Sequence, residues 1–396
     1  MSLFWIIGSI FYYFSEEIHQ DSSCLVDMEP KGISFLLACY NEEETVEETI
    51  QNVLKLNYPI KEIIVINDGS KDRTAEIVYD LQNHYDFKFV DLEINRGKAN
   101  ALNTGIKYAQ YEYVMCLDAD TIVDNRAPYF MLERFEKNPE LGAVTGNPRI
   151  RNKSTLLGKI QTVEYASLIG SIKRAQSIAG KVNTISGVFT LFRKSAIEKV
   201  GLWDTDMITE DIAISWKFHL NDIEIEYEPR AMCWMLVPES VHGLWKQRVR
   251  WAQGGHEVLI RDFKEGFKKG KISIFILLFE QIFSITWVYA IIAGLVKTIS
   301  QSNLLSVYHY EYQFTIFLLS AFTLTFINMI QLVISLMIDS RYERRNIFLL
   351  PFLCWYPIFY WIINATVVIA ALPKALKRKK GEFATWTSPD RGNIQR

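Results

Sequence analysis

From Lys31 to about Pro238, short apolar runs alternate with amphipathic segments; beyond residue 271 the pattern changes to long apolar stretches with few charges. In the first part, Ile33 to Cys39, Glu62 to Asn67, Lys88 to Leu92, Tyr113 to Leu117 and Ala143 to Thr145 read as strands, because each is a short run rich in apolar side chains. Most are followed by helical spacing. The pattern predicts an α/β domain on a mainly parallel sheet with flanking helices, whose ligands bind beyond the carboxyl ends of the strands.

The second part contains Ile272 to Val296, Phe314 to Ile338 and Ile347 to Leu372. A helix needs about 20 apolar residues to cross roughly 30 Å of hydrocarbon, so each stretch is long enough to span a bilayer. Glu280 and Gln281 in the first are costly in lipid and are expected either to face protein or to reach an interface. Lys264, Lys268, Lys269 and Lys271 precede the first stretch, Lys297 to Gln313 is almost free of basic residues, and Arg341, Arg344 and Arg345 separate the second from the third. Positive charge stays inside, which places the large polar region in the cytoplasm of a multi-pass protein of the cell membrane. A third full crossing would put the basic tail outside, so Pro351 and Pro357 suggest a broken or re-entrant third segment. The shorter run Leu3 to Phe14 reads as part of an N-terminal membrane anchor. The expected division is therefore an anchor at 1–14, a cytoplasmic α/β domain at 31–238, an amphipathic interfacial region at 239–271, a transmembrane region at 272–372 and a basic tail at 373–396.

Composition narrows the chemistry. A formal net charge of −2 over 396 residues argues against nucleic acid as a partner, since polyanion binding needs clustered positive surface. The cysteines Cys24, Cys39, Cys116, Cys233 and Cys354 are scattered without C-x-x-C spacing, so neither a disulfide framework nor a zinc site is expected. Neither G-x-G-x-x-G nor G-x-x-x-x-G-K-[ST] is present, which removes the usual hydride-transfer and ATPase signatures.

Polar residues at the strand ends carry the candidate chemistry. Tyr40 and Glu42 follow the first strand and Asp68 ends the second; Tyr40 suits the face of a base, and Glu42 and Asp68 can accept from ribose or base donors. Asp68-Gly69 is equally a common turn. Arg96 and Lys98 stand at a predicted helix start, suited to a diphosphate, although solvated surface charge explains them as well. Asp118 and Asp120 follow a buried strand and in extended geometry share one face, where a divalent ion could bind. Thr209-Glu210-Asp211 opens an amphipathic helix; Thr209 is a candidate cap and Asp211 a candidate base. Gln247, Arg248, Arg250 and Trp251 lie on a predicted helix, where the arginines suit diphosphate oxygens and the indole a sugar face; an interfacial anchor helix accounts for the same composition.

Taken together, Leu36 to Glu42, Asp118-Ala119-Asp120, Met207 to Asp211, Gln247 to Trp251 and Ser388 to Gly392 resemble the processive family 2 glycosyltransferases, which include the cellulose, chitin and hyaluronan synthases. The chain looks most like the branch that polymerises N-acetylglucosamine for biofilm exopolysaccharide. The resemblance implies a GT-A fold, UDP-N-acetylglucosamine as donor, a growing poly-N-acetylglucosamine chain with β-1,6 linkage as acceptor, and Mg²⁺ or Mn²⁺. It further implies that Asp68 binds the uridine part, Asp118 and Asp120 the metal-diphosphate, and that Asp211 activates the acceptor 6-hydroxyl. A lipid bilayer and a small membrane accessory subunit would be partners. The motifs specify nucleotide-sugar chemistry better than sugar identity. Hyaluronan-, chitin- or cellulose-type synthesis, single transfer to a polyprenyl phosphate, and a transport or scaffold protein with an inactive transferase domain remain alternatives.

Overall fold

The computed structural model describes residues 2–20, 29–180, 182–269, scattered positions between 279 and 297, 307–353 and 356–385. Cys24, Lys271, Glu280, Gln281, Cys354 and the motif 388–392 lie outside the described residues, as does most of the first long apolar stretch.

The strands are β1 (Ile33–Cys39), β2 (Lys61–Asp68), β3 (Lys88–Leu92), β4 (Tyr113–Asp118), β5 (Ile122–Val123), β6 (Leu141–Ile150), β7 (Phe189–Arg193) and β8 (Glu224–Met235). They form one sheet in the order β3-β2-β1-β4-β7-β6-β8-β5. The half holding β3, β2, β1 and β4 is parallel throughout, and β6 also pairs in parallel with β8. The five strands expected from the apolar runs are present, and the mainly parallel character holds with two departures. β7 runs antiparallel between β4 and β6, and the short β5 runs antiparallel to β8. β1 is buried at every position, as befits a central strand covered on both faces. Alternate residues of β1 feed different layers: Phe35 and Leu37 join the core with helices Val46–Lys55 and Ala127–Lys137, while Leu36 and Ala38 join the one with helices Lys98–Gly105 and Glu210–Leu220.

Helix Leu156–Tyr165 loosens to a π-helical turn over Ala166–Ser171 before continuing as Ile172–Ile178. Ser167 and Ser171 in that turn meet Gln331 and Ser335 of the helix Val307–Asp339. The N-terminal helix Ser2–Tyr12 packs on the same elements, buries Trp5 and Ile6, and exposes Leu3, Ile7 and Phe11. At its foot, Glu17 holds Arg174 through paired bonds of 2.6 and 2.9 Å, and both side chains are fully buried.

Among the described residues, one helix contains a window, Phe322–Asp339, that is long and apolar enough to cross a membrane by length and composition. Helix Val241–Lys269 packs along helix Tyr356–Lys377 through Val249, Val367 and Ala371. In the third apolar stretch, Arg344–Leu353 forms 3₁₀ turns containing Pro351, and a helix runs Tyr356–Lys377.

Candidate active site

The carboxyl ends of β1, β2 and β4 bring their loops together, as expected of this sheet. The β1 and β2 loops are laced to each other: Asn41 N–H donates to Ser70 Oγ at 2.9 Å and Glu42 N–H to Thr74 Oγ1 at 2.8 Å. Glu42 is buried and accepts from Thr45 Oγ1, while Tyr40 is only partly buried. Asp68 is fully buried, and its two oxygens accept the backbone N–H groups of Arg96 and Gly97 at 3.1 and 2.8 Å. Its visible work is to fix the segment that opens helix Lys98–Gly105.

That segment delivers Lys98 to a cavity of about 250 Å³ lined also by Asp118, Glu210, Asp211, Gln247, Arg250 and Trp251. Residues far apart in sequence thus share one space. Lys98 Nζ donates to Asp118 Oδ1 and to Gly187 O at 2.9 Å, and lies 3.0 Å from Glu210 Oε1. Burial alone would lower its pKa, but Asp118 and Glu210 outweigh burial and hold it above its ordinary value, so the ammonium stays charged.

Asp211 stands in the first turn of helix Glu210–Leu220. Its Oδ1 accepts Ile212 N–H at 2.8 Å and its Oδ2 accepts Gly187 N–H at 3.1 Å. Burial and the neighbouring Glu210 carboxylate raise its pKa to about 6, against the lowering pull of Lys98 and the two backbone bonds. A carboxyl so tuned is ionised at neutral pH, yet binds a proton better than an ordinary aspartate.

Several expectations are corrected by geometry. The extended geometry expected to carry Asp118 and Asp120 on one face stops at Asp118, where β4 ends and a turn follows, closed by Thr121 N–H on Asp118 O at 3.2 Å. Asp118 faces the cavity, whereas Asp120 is 1% exposed and its Oδ2 accepts Leu236 N–H at 3.3 Å. Arg248 and Arg250 part company for a similar reason, since residues two apart on a helix point to different sides. Arg250 lines the cavity; Arg248 is buried, donates to Glu164 Oε2 at 2.7 Å and lies 4.4 Å from the Trp251 ring centroid. Thr209 occupies the cap position of its helix, but its hydroxyl makes no capping bond and is buried without a partner.

Gln247 Oε1 is likewise buried without a partner, on a residue that lines the cavity. An acceptor left bare there suits a ligand hydroxyl or amide N–H. Trp251 and Tyr165 supply an aromatic wall, with ring centroids 6.4 Å apart.

Sequence reasoning missed Gly187 and Tyr165. Gly187 offers its N–H to the candidate base and its C=O to Lys98, and a Cβ added there would sit 2.8 Å from Asp211 Oδ2. A lone glycine before an unrecognised strand carries no signal of that kind.

For a divalent ion, the donor set is hard oxygen: Asp118, Glu210 and Asp211 face the cavity against Lys98 and Arg250. Among the described residues, no group of three or more His, Cys, Asp or Glu side chains is arranged to hold a metal unaided. One or two carboxylates completed by substrate phosphate oxygens is a usual magnesium arrangement, so the residues present fit an ion that arrives with a diphosphate.

Residues 34–201 match the family model described as glycosyl transferase family 2. Over 399 residues, covering 100% of this chain and 97% of the relative, the sequence is 67% identical to a poly-beta-1,6-N-acetyl-D-glucosamine synthase of Staphylococcus epidermidis. It is 64% identical, with the same coverage, to the synthase of that name from Staphylococcus aureus. Among solved structures, a mannosyltransferase from Pyrobaculum calidifontis in complex with GDP-Man and Mn²⁺ aligns with a TM-score of 0.65 at 20% identity, covering 95% of this chain and 96% of that one. Likeness at that identity speaks for the GT-A fold alone.

Proposed function

Since this chain belongs to glycosyl transferase family 2, we propose that it is a membrane-bound, processive, inverting transferase that polymerises N-acetylglucosamine from UDP-N-acetylglucosamine into a β-1,6-linked chain. The observation that carries this reading is the meeting of Asp118, Glu210, Asp211, Gln247 and Trp251 around one cavity, with Lys98 and Arg250 as counter-charges. A donor bearing a diphosphate, an acceptor hydroxyl and a sugar face each finds a matching group there.

In the proposed reaction, Asp211 takes the proton of the acceptor 6-hydroxyl as that oxygen attacks the anomeric carbon of the donor, and the bond to the UDP oxygen breaks. Attack opposite the leaving group turns an α-linked donor into a β linkage. The backbone bonds from Gly187 and Ile212 aim the carboxylate, and Glu210 strengthens it as a base by raising its proton affinity. Lys98 and Arg250 stabilise negative charge on the departing diphosphate. Asp118 would hold Mg²⁺ or Mn²⁺, an ion that neutralises diphosphate charge when bound. Gln247 Oε1 would accept from the sugar, and Trp251 with Tyr165 would support its apolar face.

Membrane attachment is supported by the apolar window Phe322–Asp339 and by the exposed Leu3, Ile7 and Phe11 on the helix beside it. Growth of the chain beside membrane helices would couple synthesis to export, with a small accessory subunit as the expected partner.

Membranes containing this chain, incubated with UDP-N-acetylglucosamine and Mg²⁺ beside the Asp211→Asn variant, test the reading. Polymer from the parent alone, digestible by a β-1,6-N-acetylglucosamine-specific hydrolase, is the expected result. A single-sugar lipid product, or equal polymer from Asp211→Asn, would overturn it.

A further inference from the structure

The helix that carries Gln247 to Trp251 continues to Lys269, and its second half grips the segment leading to the base. Gly254 is buried against Thr209: a Cβ added to Gly254 would lie 2.0 Å from Thr209 Oγ1 and 2.4 Å from its Cγ2. One turn on, Glu257 is 6% exposed and its Oε2 accepts the backbone N–H of Ile208 at 3.3 Å. Its Oε1 accepts Gln253 Nε2 at 2.7 Å and lies 3.8 Å from Arg378 Nε. Arg378 in turn donates to Asp206 O at 2.9 Å. A further turn along, Arg261 reaches Asp204 and donates to Ala213 O at 3.3 Å. Asp204, Asp206, Ile208 and Thr209 therefore all meet this helix directly or through one side chain, and Ile208 and Thr209 line the cavity beside Asp211.

Such a grip is not needed to keep the helix Glu210–Leu220 in place, because Ala213, Trp216 and Leu220 already pack against Val258 and Leu259. What the polar contacts add is control of the backbone just before the base. A loop held only by apolar contact can slide, whereas a buried carboxylate on one N–H fixes that peptide's position.

We propose that Glu257, seated by the close approach of Gly254 to Thr209, is a positioning residue that locks the base loop onto the helix carrying Gln247, Arg250 and Trp251, so that base and acceptor platform are set as one unit. Glu257 does not line the cavity; it acts through Ile208 and hence through the orientation of Asp211. The inference rests on the transferase reading above for its kinetic consequence, and on the contacts alone for its structural one.

Full-length protein in detergent or liposomes, as parent, Glu257→Ala and Glu257→Gln, provides the test in two parts. Amide hydrogen exchange needs no substrate: Glu257→Ala should speed exchange over residues 208–212 by tenfold or more, while Glu257→Gln, whose amide oxygen can still accept from Ile208, should stay within about threefold of the parent. In UDP release from UDP-N-acetylglucosamine, Glu257→Ala should lower kcat by about 10- to 100-fold with KM for the donor changed less than threefold, and Glu257→Gln should restore most of kcat. Unchanged exchange in a folded Glu257→Ala overturns the proposal, as does a loss that appears in KM alone or that Glu257→Gln shares in full. If the parent releases no UDP, the transferase reading fails, and the exchange result still decides whether Glu257 holds the loop.

Discussion

Gly187 and Asp211 are matched to each other: the glycine N–H donates to Asp211 Oδ2 at 3.1 Å, and a Cβ at position 187 would stand 2.8 Å from that same oxygen. Only a residue without a side chain allows both the bond and the closeness. Gly187→Ala should therefore turn the carboxylate away, and a displacement of about 1 Å at a reacting group costs on the order of 100-fold in rate. Steady-state UDP release should show the loss in kcat, with the fold kept as judged by melting. Retention of more than a third of the parent kcat would count against Asp211 as the base held there.

The raised pKa of Asp211, about 6, sets a pH dependence. As a base it works only when ionised, so log kcat/KM should fall with unit slope below about pH 6 and level off above it. A break in the ordinary carboxylate range would contradict the assignment. Stability runs the other way. A carboxyl whose folded pKa exceeds its unfolded value favours the fold at low pH, and that contribution is lost as pH rises through about 6. Asp211→Asn should accordingly gain on the parent in melting temperature at pH 7 and lose that advantage near pH 4.

Arg248 and Arg250 should separate cleanly on mutation. Arg248→Met breaks the buried pair with Glu164, at a cost of about 3–5 kcal/mol visible as a large drop in Tm. Arg250→Met should melt close to the parent and instead raise KM for the donor or lower kcat about tenfold or more. Equal melting temperatures for the two variants would refute the division of labour.

Asp339 closes the helix Val307–Asp339 onto the sheet by accepting from Arg149 Nη1 and Nη2, and Arg174 Nη1 lies 3.9 Å away. Asp339→Ala would strand a buried guanidinium, with a loss of about 3–5 kcal/mol. Limited proteolysis should then cut near Arg341 at lower protease concentration than in the parent. An unchanged digestion pattern would mean that the helix's other contacts, including Gln331 and Ser335 on Ser167 and Ser171, hold it without Asp339.

Much of the parallel half of the sheet could be read from the chain. β1 and β3 match the predicted runs at both ends, and β2 and β4 differ by a residue or so; β1, a central strand buried on both faces, is apolar almost throughout, whereas β3 is a half-buried edge strand whose Phe89, Val90 and Leu92 still mark it. β7 and β8 escaped. β7 is five residues with Thr190 and Arg193 among them, and β8 alternates Glu224, Glu226 and Glu228 with buried partners, so neither forms a continuous apolar run. Two of their acids find partners at a distance: Arg134 pairs with Glu228, and Asn138 donates to Glu224. No local pattern reveals such partners.

What the sequence determined by itself was the order of strands and helices in the parallel half, the apolar stretches, and the residue types able to serve a nucleotide-sugar reaction. These follow from periodicity and side-chain chemistry, which are local properties. The tertiary structure decided which of those residues share a cavity: it turned Asp118 inward and Asp120 toward Leu236, gave Arg250 to the site and Arg248 to Glu164, and set Gly187 against Asp211. Those choices depend on a turn closing one residue after a strand and on contacts between segments tens to more than a hundred residues apart. Facing direction is a property of the packed whole, and it appears only when distant segments compete for the same interior space.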